Sequence, residues 1–129
     1  MTTTRALAPA GAALVAVLLA TAAPAVAKDG DVVTRGSCSS AASWKMKASP
    51  EDGRVEVESE IDSNRNGQTW RWVLTHNGAV AGRGHSTTRA PSGSFEVRRV
   101  RSNLKGTDTF AFTAQRIGTR QICRAVVRF

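Results

Sequence analysis

The fold class is decided by residues 55–62, which read VEVESEID. Val55, Val57 and Ile61 fall on one side of an extended chain, and the acidic residues fall on the other. Residues 70–75, WRWVLT, repeat this pattern with two tryptophans on the same side. Strict alternation of apolar and polar residues is typical of half-buried strands in antiparallel sheets. Both stretches are therefore predicted to be β-strands.

The sequence on both sides of these stretches continues in the same way. Alternating or apolar runs occur at 44–48, 95–97, 110–114 and 122–129, and turn-forming residues separate them. Asn77-Gly78 between two such runs is a strong β-hairpin signal, because both residues accept positive φ. No window has the 3.6-residue apolar period of a helix. We predict an all-β chain, an antiparallel immunoglobulin-like β-sandwich of about seven strands, with a small β-barrel as the alternative.

The first 27 residues have the three parts of a secretory signal peptide. A single base, Arg5, precedes an uncharged, Ala-rich apolar run, and Ala25-Val26-Ala27 supplies the small residues that signal peptidase accepts. A retained membrane anchor is the alternative, but Pro9, Gly11 and Pro24 interrupt the run and its Leu/Val core is short. We predict cleavage after Ala27, leaving residues 28–129 as one secreted domain, extracellular or associated with the cell wall, with no membrane span.

Two cysteines are present, Cys38 and Cys123. In an exported chain they allow one intramolecular disulfide. This bond would join the first part of the domain to its last strand. A free, reactive thiol is the competing interpretation.

Charge is divided unevenly along the exported chain. Residues 28–78 carry seven bases and eight acids, whereas residues 79–129 carry ten bases and two acids. The basic half is suited to an anionic envelope polymer, an acidic protein, or the acidic strand of its own fold. Exposed aromatic residues for base stacking are not interleaved with the arginines, and export argues against nucleic acid as a partner. The candidate binding residues are Arg98, Arg99, Arg101, Arg116, Arg120 and Arg124.

The loop after the acidic strand has the opening pattern of a calcium site. Asp62, Asn64 and Asn66 place oxygen ligands at alternate positions before Gly67, as in D-x-N-x-N-G loops. The twelfth position, where such loops have a bidentate Glu, is Val73. The favoured interpretation is a connecting loop that uses Asn and Gly for positive φ, with calcium as the weaker candidate.

Two further groups of residues could form sites. Trp70 and Trp72 could form a sugar-stacking platform, but large aromatics on an inward face usually fill the core, and Trp44 is predicted to be the partly exposed tryptophan. The acidic strand could suggest a glycosidase pair, but carboxylates on one strand face are normally solvated and paired across strands. Arg98, Arg99 and Arg101 are the predicted basic partners of that strand.

Catalytic and metal-binding patterns are weak. His76 and His85 could come near each other but lack the further ligands of a zinc site, so both are predicted to be surface residues. No serine lies in a G-x-S-x-G turn. We therefore expect no enzyme activity, no cofactor and no metal.

Several segments together resemble a group of small, uncharacterised secreted proteins of actinobacteria. They are residues 44–48, 55–58, 62–70 and 89–95, and the resemblance covers nearly all of 36–129. It implies export and a disulfide-closed β domain, and it supplies no catalytic residues. The function predicted is a non-catalytic extracellular binding module of unknown ligand. An inhibitor of a secreted enzyme, presenting residues 63–68 or 89–94, is the alternative, and a small hydrolase is the last choice.

Overall fold

The computed structural model describes residues 30–129 as eight antiparallel strands without a helix. The predicted signal peptide, residues 1–27, lies outside the described residues. The strands are β1 (Val32–Ser37), β2 (Ser43–Glu51), β3 (Arg54–Asp62), β4 (Thr69–His76), β5 (Ala79–Thr87), β6 (Ser94–Ser102), β7 (Thr109–Arg116) and β8 (Ile122–Arg128). No helix in this part of the chain is long and apolar enough to cross a membrane.

The strands form two four-stranded sheets packed face to face. Sheet A has the order β1-β2-β3-β6, and sheet B has the order β5-β4-β7-β8. The sheets do not close into a barrel, so the predicted sandwich is confirmed and the barrel alternative is wrong. The Asn77-Gly78 hairpin joins β4 to β5, and both of its residues have positive φ, as the sequence predicted.

The core lies between the two inward faces. Val55, Val57 and Ile61 of β3 are fully buried, as is Trp70 of β4, and Trp72 is 4 % exposed. Core burial of both tryptophans is therefore confirmed. Full burial of a large apolar side chain contributes roughly 1.5–3 kcal/mol, so the alternation read from the sequence also marks the main source of stability.

One strand, β1, was missed by sequence reasoning, which placed Cys38 ahead of the first strand. Its inward positions are Val32, Thr34 and Gly36, too weakly apolar to stand out. Gly36 is required here because the half-buried indole of Trp44 lies across it. A Cβ at Gly36 would be 2.5 Å from that ring.

The predicted disulfide between Cys38 and Cys123 is present and joins the end of β1 to β8. It connects the two sheets along one side of the sandwich, which we call the disulfide side. Next to it, the Ser39 N–H donates to the Ile122 carbonyl at 2.9 Å. A structural disulfide of this kind indicates an oxidising environment.

Candidate functional site

The outward face of sheet B is basic and carries no acid. Side chains alternate along its strands, so that Arg71, Arg83, Arg124 and Arg128 are exposed, while the tryptophans of β4 and the phenylalanines of β7 face the core and are buried. Nearly all the other outward residues are neutral, chiefly threonines and small apolar residues. His85 shares the face. We call this surface the arginine face and define it by these four arginines.

Register fixes the spacing within the arginine face. Arg83 and Arg124 lie in one row across the sheet, through Val73 and Thr113, three strand spacings apart. At about 4.8 Å per spacing this separates their backbones by about 14 Å. Arg71 is a diagonal neighbour of Arg83 at about 7–8 Å, and Arg128 lies about 13 Å along β8 from Arg124. The four charges thus span an area wide enough to contact several groups of an extended ligand.

Within residues 30–129, no acidic side chain forms an ion pair that holds a guanidinium group of the arginine face in place. Arg71 Nη2 donates to Gln115 Oε1 at 3.3 Å, the one hydrogen bond seen for these four side chains among residues 30–129. No ion pair involves any of them within that range. Unpaired exposed arginines retain their full fork of donors for a carboxylate or phosphate.

The outward face of sheet A, by contrast, carries charges of both signs. It holds five bases and six acids, and two of the four acids of β3, Glu56 and Glu58, form ion pairs with bases of the neighbouring strands. Arg98 Nη2 lies 2.6 Å from Glu58 Oε1, and Lys47 Nζ lies 3.5 Å from Glu58 Oε2. Glu56 and then Glu58 raise the pKa of Arg98 above its ordinary value by stabilising the charged guanidinium. The cross-strand interpretation is thus confirmed for Glu56 and Glu58, whereas Glu60 and Asp62 form no ion pair within residues 30–129.

The six arginines predicted as one binding set do not lie together. Arg98 is paired on the outer face of sheet A, whereas Arg99 and Arg101 lie on the core side of the same strand. Of the three, only Arg98 pairs with the acidic strand, so the prediction that all three would do so is wrong for Arg99 and Arg101. The physical reason is that successive side chains of β6 point to opposite faces of the sheet, so Arg98 faces outward and Arg99 and Arg101 face the core side.

The remaining predicted arginines belong to sheet B. Arg116 ends β7 on the inward register, Arg120 lies in the β7–β8 turn, and Arg124 is on the arginine face. Sequence reasoning missed Arg71, Arg83 and Arg128. Alternation around Trp70 and Trp72 signals an outward Arg71, but strand order is needed to bring the other arginines beside it.

The candidate calcium loop has the geometry of a connecting loop. Asp62 Oδ1 accepts a hydrogen bond from the Asn64 backbone N–H at 2.8 Å, and Asn64 has φ 56°. Asn66 is exposed. Asp62 Oδ1 therefore holds an Asx turn, which is the use of Asp and Asn that the favoured interpretation assigned to this loop.

The two histidines are far apart and differ in environment. His85 is exposed and opposite Arg71, five residues along β4 from His76. His76 is largely buried: its ring stacks on Phe110, and its Nε2 is 2.5 Å from Oδ1 of fully buried Asp108. The prediction that both are surface residues is therefore wrong for His76. Burying Asp108 requires hydrogen-bonding partners for its carboxylate, and His76 is one of them.

Replacing Asp108 by Ala is expected to lower the free energy of unfolding by about 2–4 kcal/mol. The change removes the partner of His76 and an acceptor of the Leu104 N–H, leaving polar groups unsatisfied in a buried site. Urea unfolding followed by tryptophan fluorescence measures it. The control is His85→Ala on the surface, expected within about 0.5 kcal/mol of the parent. Equal effects of the two substitutions would contradict a structural role for the buried pair.

Comparison of the chain with protein-family models, with curated proteins and with solved structures finds no match.

Proposed function

We propose that the protein is a secreted, non-catalytic binding module that holds an anionic polymer of the cell envelope on its arginine face. The observation that carries this proposal is the separation of charge between the two sheets. The strands of sheet B contain five arginines and no acid, and of the acids among residues 30–129 only the buried Asp108 adjoins this sheet. An exposed surface of one sign attracts and retains counter-charged polymers.

The shape of the arginine face favours an extended ligand over a small one. The four arginines stand on the exposed surface of a sheet, and the outward threonines between them supply hydroxyl donors without bulk. A linear polyanion crossing the strands would meet Arg71 and Arg83 on one side and Arg124 and Arg128 on the other. Each contact is exposed and individually weak, so affinity depends on their number and falls with salt.

Export supports the same proposal. The disulfide requires an oxidising compartment, and residues 1–27 have the pattern of a secretory signal. Anionic wall polymers are abundant ligands in that compartment. Nucleic acid, by contrast, remains an unexpected partner outside the cell.

The test is a binding titration of the oxidised protein with polyphosphate and with poly-glutamate at increasing salt. Replacing Arg71, Arg83, Arg124 and Arg128 by Gln is expected to weaken binding on the order of 100-fold at low salt. This follows from four contacts of about 0.7 kcal/mol each. The salt dependence should flatten in parallel, because fewer counterions are released.

The control variant makes the same change in net charge elsewhere, with Gln at Arg35, Lys45, Arg54 and Lys105. It should bind within about threefold of the parent, because these bases lie outside the arginine face. Equal losses in both variants would show that net charge alone drives binding. Failure of the parent to bind either polymer would overturn the proposal.

An enzyme inhibitor is the second candidate, and one observation favours it. The two predicted inhibitory loops, 63–68 and 89–94, pack into one rigid unit at one end of the sandwich. The Ser63 N–H donates to the Gly93 carbonyl at 3.0 Å, and Thr88 Oγ1 donates to the Arg65 carbonyl at 2.6 Å. A single secreted enzyme retained by the protein at high salt, and released by Arg65→Ala, would support this function over polymer binding.

A further inference from the structure

The two sides of the sandwich are closed in different ways. The disulfide joins β1 to β8, whereas β5 and β6 face each other as edge strands on the opposite side without forming a ladder. At one end of this side a groove of about 550 Å³ lies between them, lined by Ser86 of β5, by Phe95 and Glu96 of β6, and by Arg89. Arg99 and Arg101 lie further along β6 than these lining residues. We call this side the opening.

Two arginines of β6 project into the opening from the core side of sheet A. Arg99 and Arg101 pair in register with Val57 and Val55, both fully buried, and are themselves half-buried. Two residues apart on one strand face, their backbones are separated by about 7 Å. Neither forms an ion pair within residues 30–129. Two positive charges on one half-buried strand face, with no carboxylate paired to either, would be stabilised by a bound counter-ion.

Arg99 is fixed in orientation by its surroundings. Its guanidinium carbon lies 5.3 Å from the centre of the Trp72 ring, and its Nη1 donates to the Arg98 carbonyl at 2.7 Å. The Trp72 indole is held in turn, because its Nε1 donates to Ser86 Oγ at 3.1 Å. Gly84 permits this arrangement, since a Cβ there would lie 2.9 Å from the Trp72 ring. The remaining donors of Arg99 are therefore presented from a rigid base.

The side chain of Arg101 contains a buried donor that has no acceptor among residues 30–129. Its Nε is shielded from solvent and makes no hydrogen bond in the described part of the chain. A buried N–H of a charged group without an acceptor is costly, and native structures rarely leave one. An oxyanion bound beside the Arg101 guanidinium would supply an acceptor after a small rotation of the side chain, and it would neutralise the Arg99–Arg101 pair at the same time.

We propose that the opening binds a small oxyanion, a carboxylate or a phosphate group, between Arg99 and Arg101. Guanidinium forks match the two oxygens of such groups and bind them with charge-assisted hydrogen bonds. The site is separate from the arginine face, whose four residues lie on the outer surface of sheet B. It therefore stands whether or not the protein binds a polymer.

The experiment is a titration of the oxidised, isotope-labelled protein with inorganic phosphate and, separately, with acetate. The arginine Nε–Hε and tryptophan indole NMR signals are followed at constant ionic strength. We expect saturable shifts of the Arg99, Arg101 and Trp72 signals with at least one of the two anions, and the anion with the lower Kd identifies the group that is recognised. The absence of saturation with both anions would overturn the proposal.

Arg101→Gln and Arg101→Lys test the role of the fork. Both should weaken anion binding at least tenfold, Lys included, because Lys keeps the charge but lacks the planar fork of guanidinium donors. Arg98→Gln removes a neighbouring charge on the other face and should leave binding within twofold, and the backbone spectrum of each variant verifies folding. Unchanged binding in both Arg101 variants would overturn the assignment. So would loss of anion binding in the four-residue variant of the arginine face, which would place the anion there instead.

Discussion

Loss of the Cys38–Cys123 disulfide is expected to lower the free energy of unfolding by about 4–5 kcal/mol. The bond closes a loop with a sequence separation of 85, and a cross-link of that length strongly restricts the unfolded chain. Small domains have a total stability of about 5–15 kcal/mol, so a large part of the folded population at 37 °C depends on this bond. The bond also links the two sheets on the side where β1, the weakest apolar strand, ends.

The measurement is urea unfolding of the parent and of the double variant Cys38→Ala/Cys123→Ala, with tryptophan fluorescence as the signal. The dependence of the unfolding free energy on urea should also steepen, because the uncross-linked unfolded chain exposes more surface. Adding a reductant should shift the parent towards the double variant and leave the double variant unchanged. A loss below about 1 kcal/mol would show that the contacts of β1 with β2 and β8 suffice to hold the disulfide side.

Gly93→Ala is expected to be the most damaging single substitution in a loop, at roughly 2–4 kcal/mol. Gly93 has φ 74°, a region that costs an L-residue about 1–2 kcal/mol. It is also buried against the neighbouring loop, where an added Cβ would lie 2.3 Å from the Arg65 backbone nitrogen. Backbone atoms cannot rotate away as a side-chain end can. The loop 63–65 and its hydrogen bonds to Gly93 would therefore have to move.

Gly67 provides a matched control for this substitution. Its φ is 78°, close to that of Gly93, but a Cβ there would have nothing within 4 Å. Gly67→Ala should therefore cost only the backbone contribution, about 1–2 kcal/mol. The difference between the two variants in thermal or urea unfolding isolates the packing of one loop on the other. If both variants lose the same amount, the close contact between the loops contributes nothing to stability.

The strands of the core could be predicted from sequence because each carries its own signal. Val55, Val57 and Ile61, like Trp70 and Trp72, alternate with polar residues inside a single strand, and this local pattern is what burial requires. β1 lacks this alternation, because one of its inward positions is Gly36, where contact with the Trp44 ring of the neighbouring strand leaves no room for an apolar side chain. The disulfide could be predicted from the single cysteine pair together with the predicted export signal.

The arginine face depends on information that local patterns lack. Arg71 and Arg124 are far apart along the chain and come together only because β4 and β8 both pair with β7. The separation of charge is therefore a property of the two sheets, and comparing the two halves of the sequence does not reveal it. The same holds for His76, which is buried against Asp108, the residue just before β7 and 32 positions away in the sequence.

The separation of charge between the two outer faces gives the molecule a permanent electric dipole across its thickness. The positive pole lies over β4, β5, β7 and β8, and the nearly neutral, carboxylate-bearing pole lies over β2, β3 and β6. Near a negatively charged layer, such a dipole turns the molecule before contact, within about one Debye length of 8–10 Å. Molecules adsorbed in this way would all present the same carboxylate-rich side to the surrounding medium, so the surface they coat would become less negative without becoming basic.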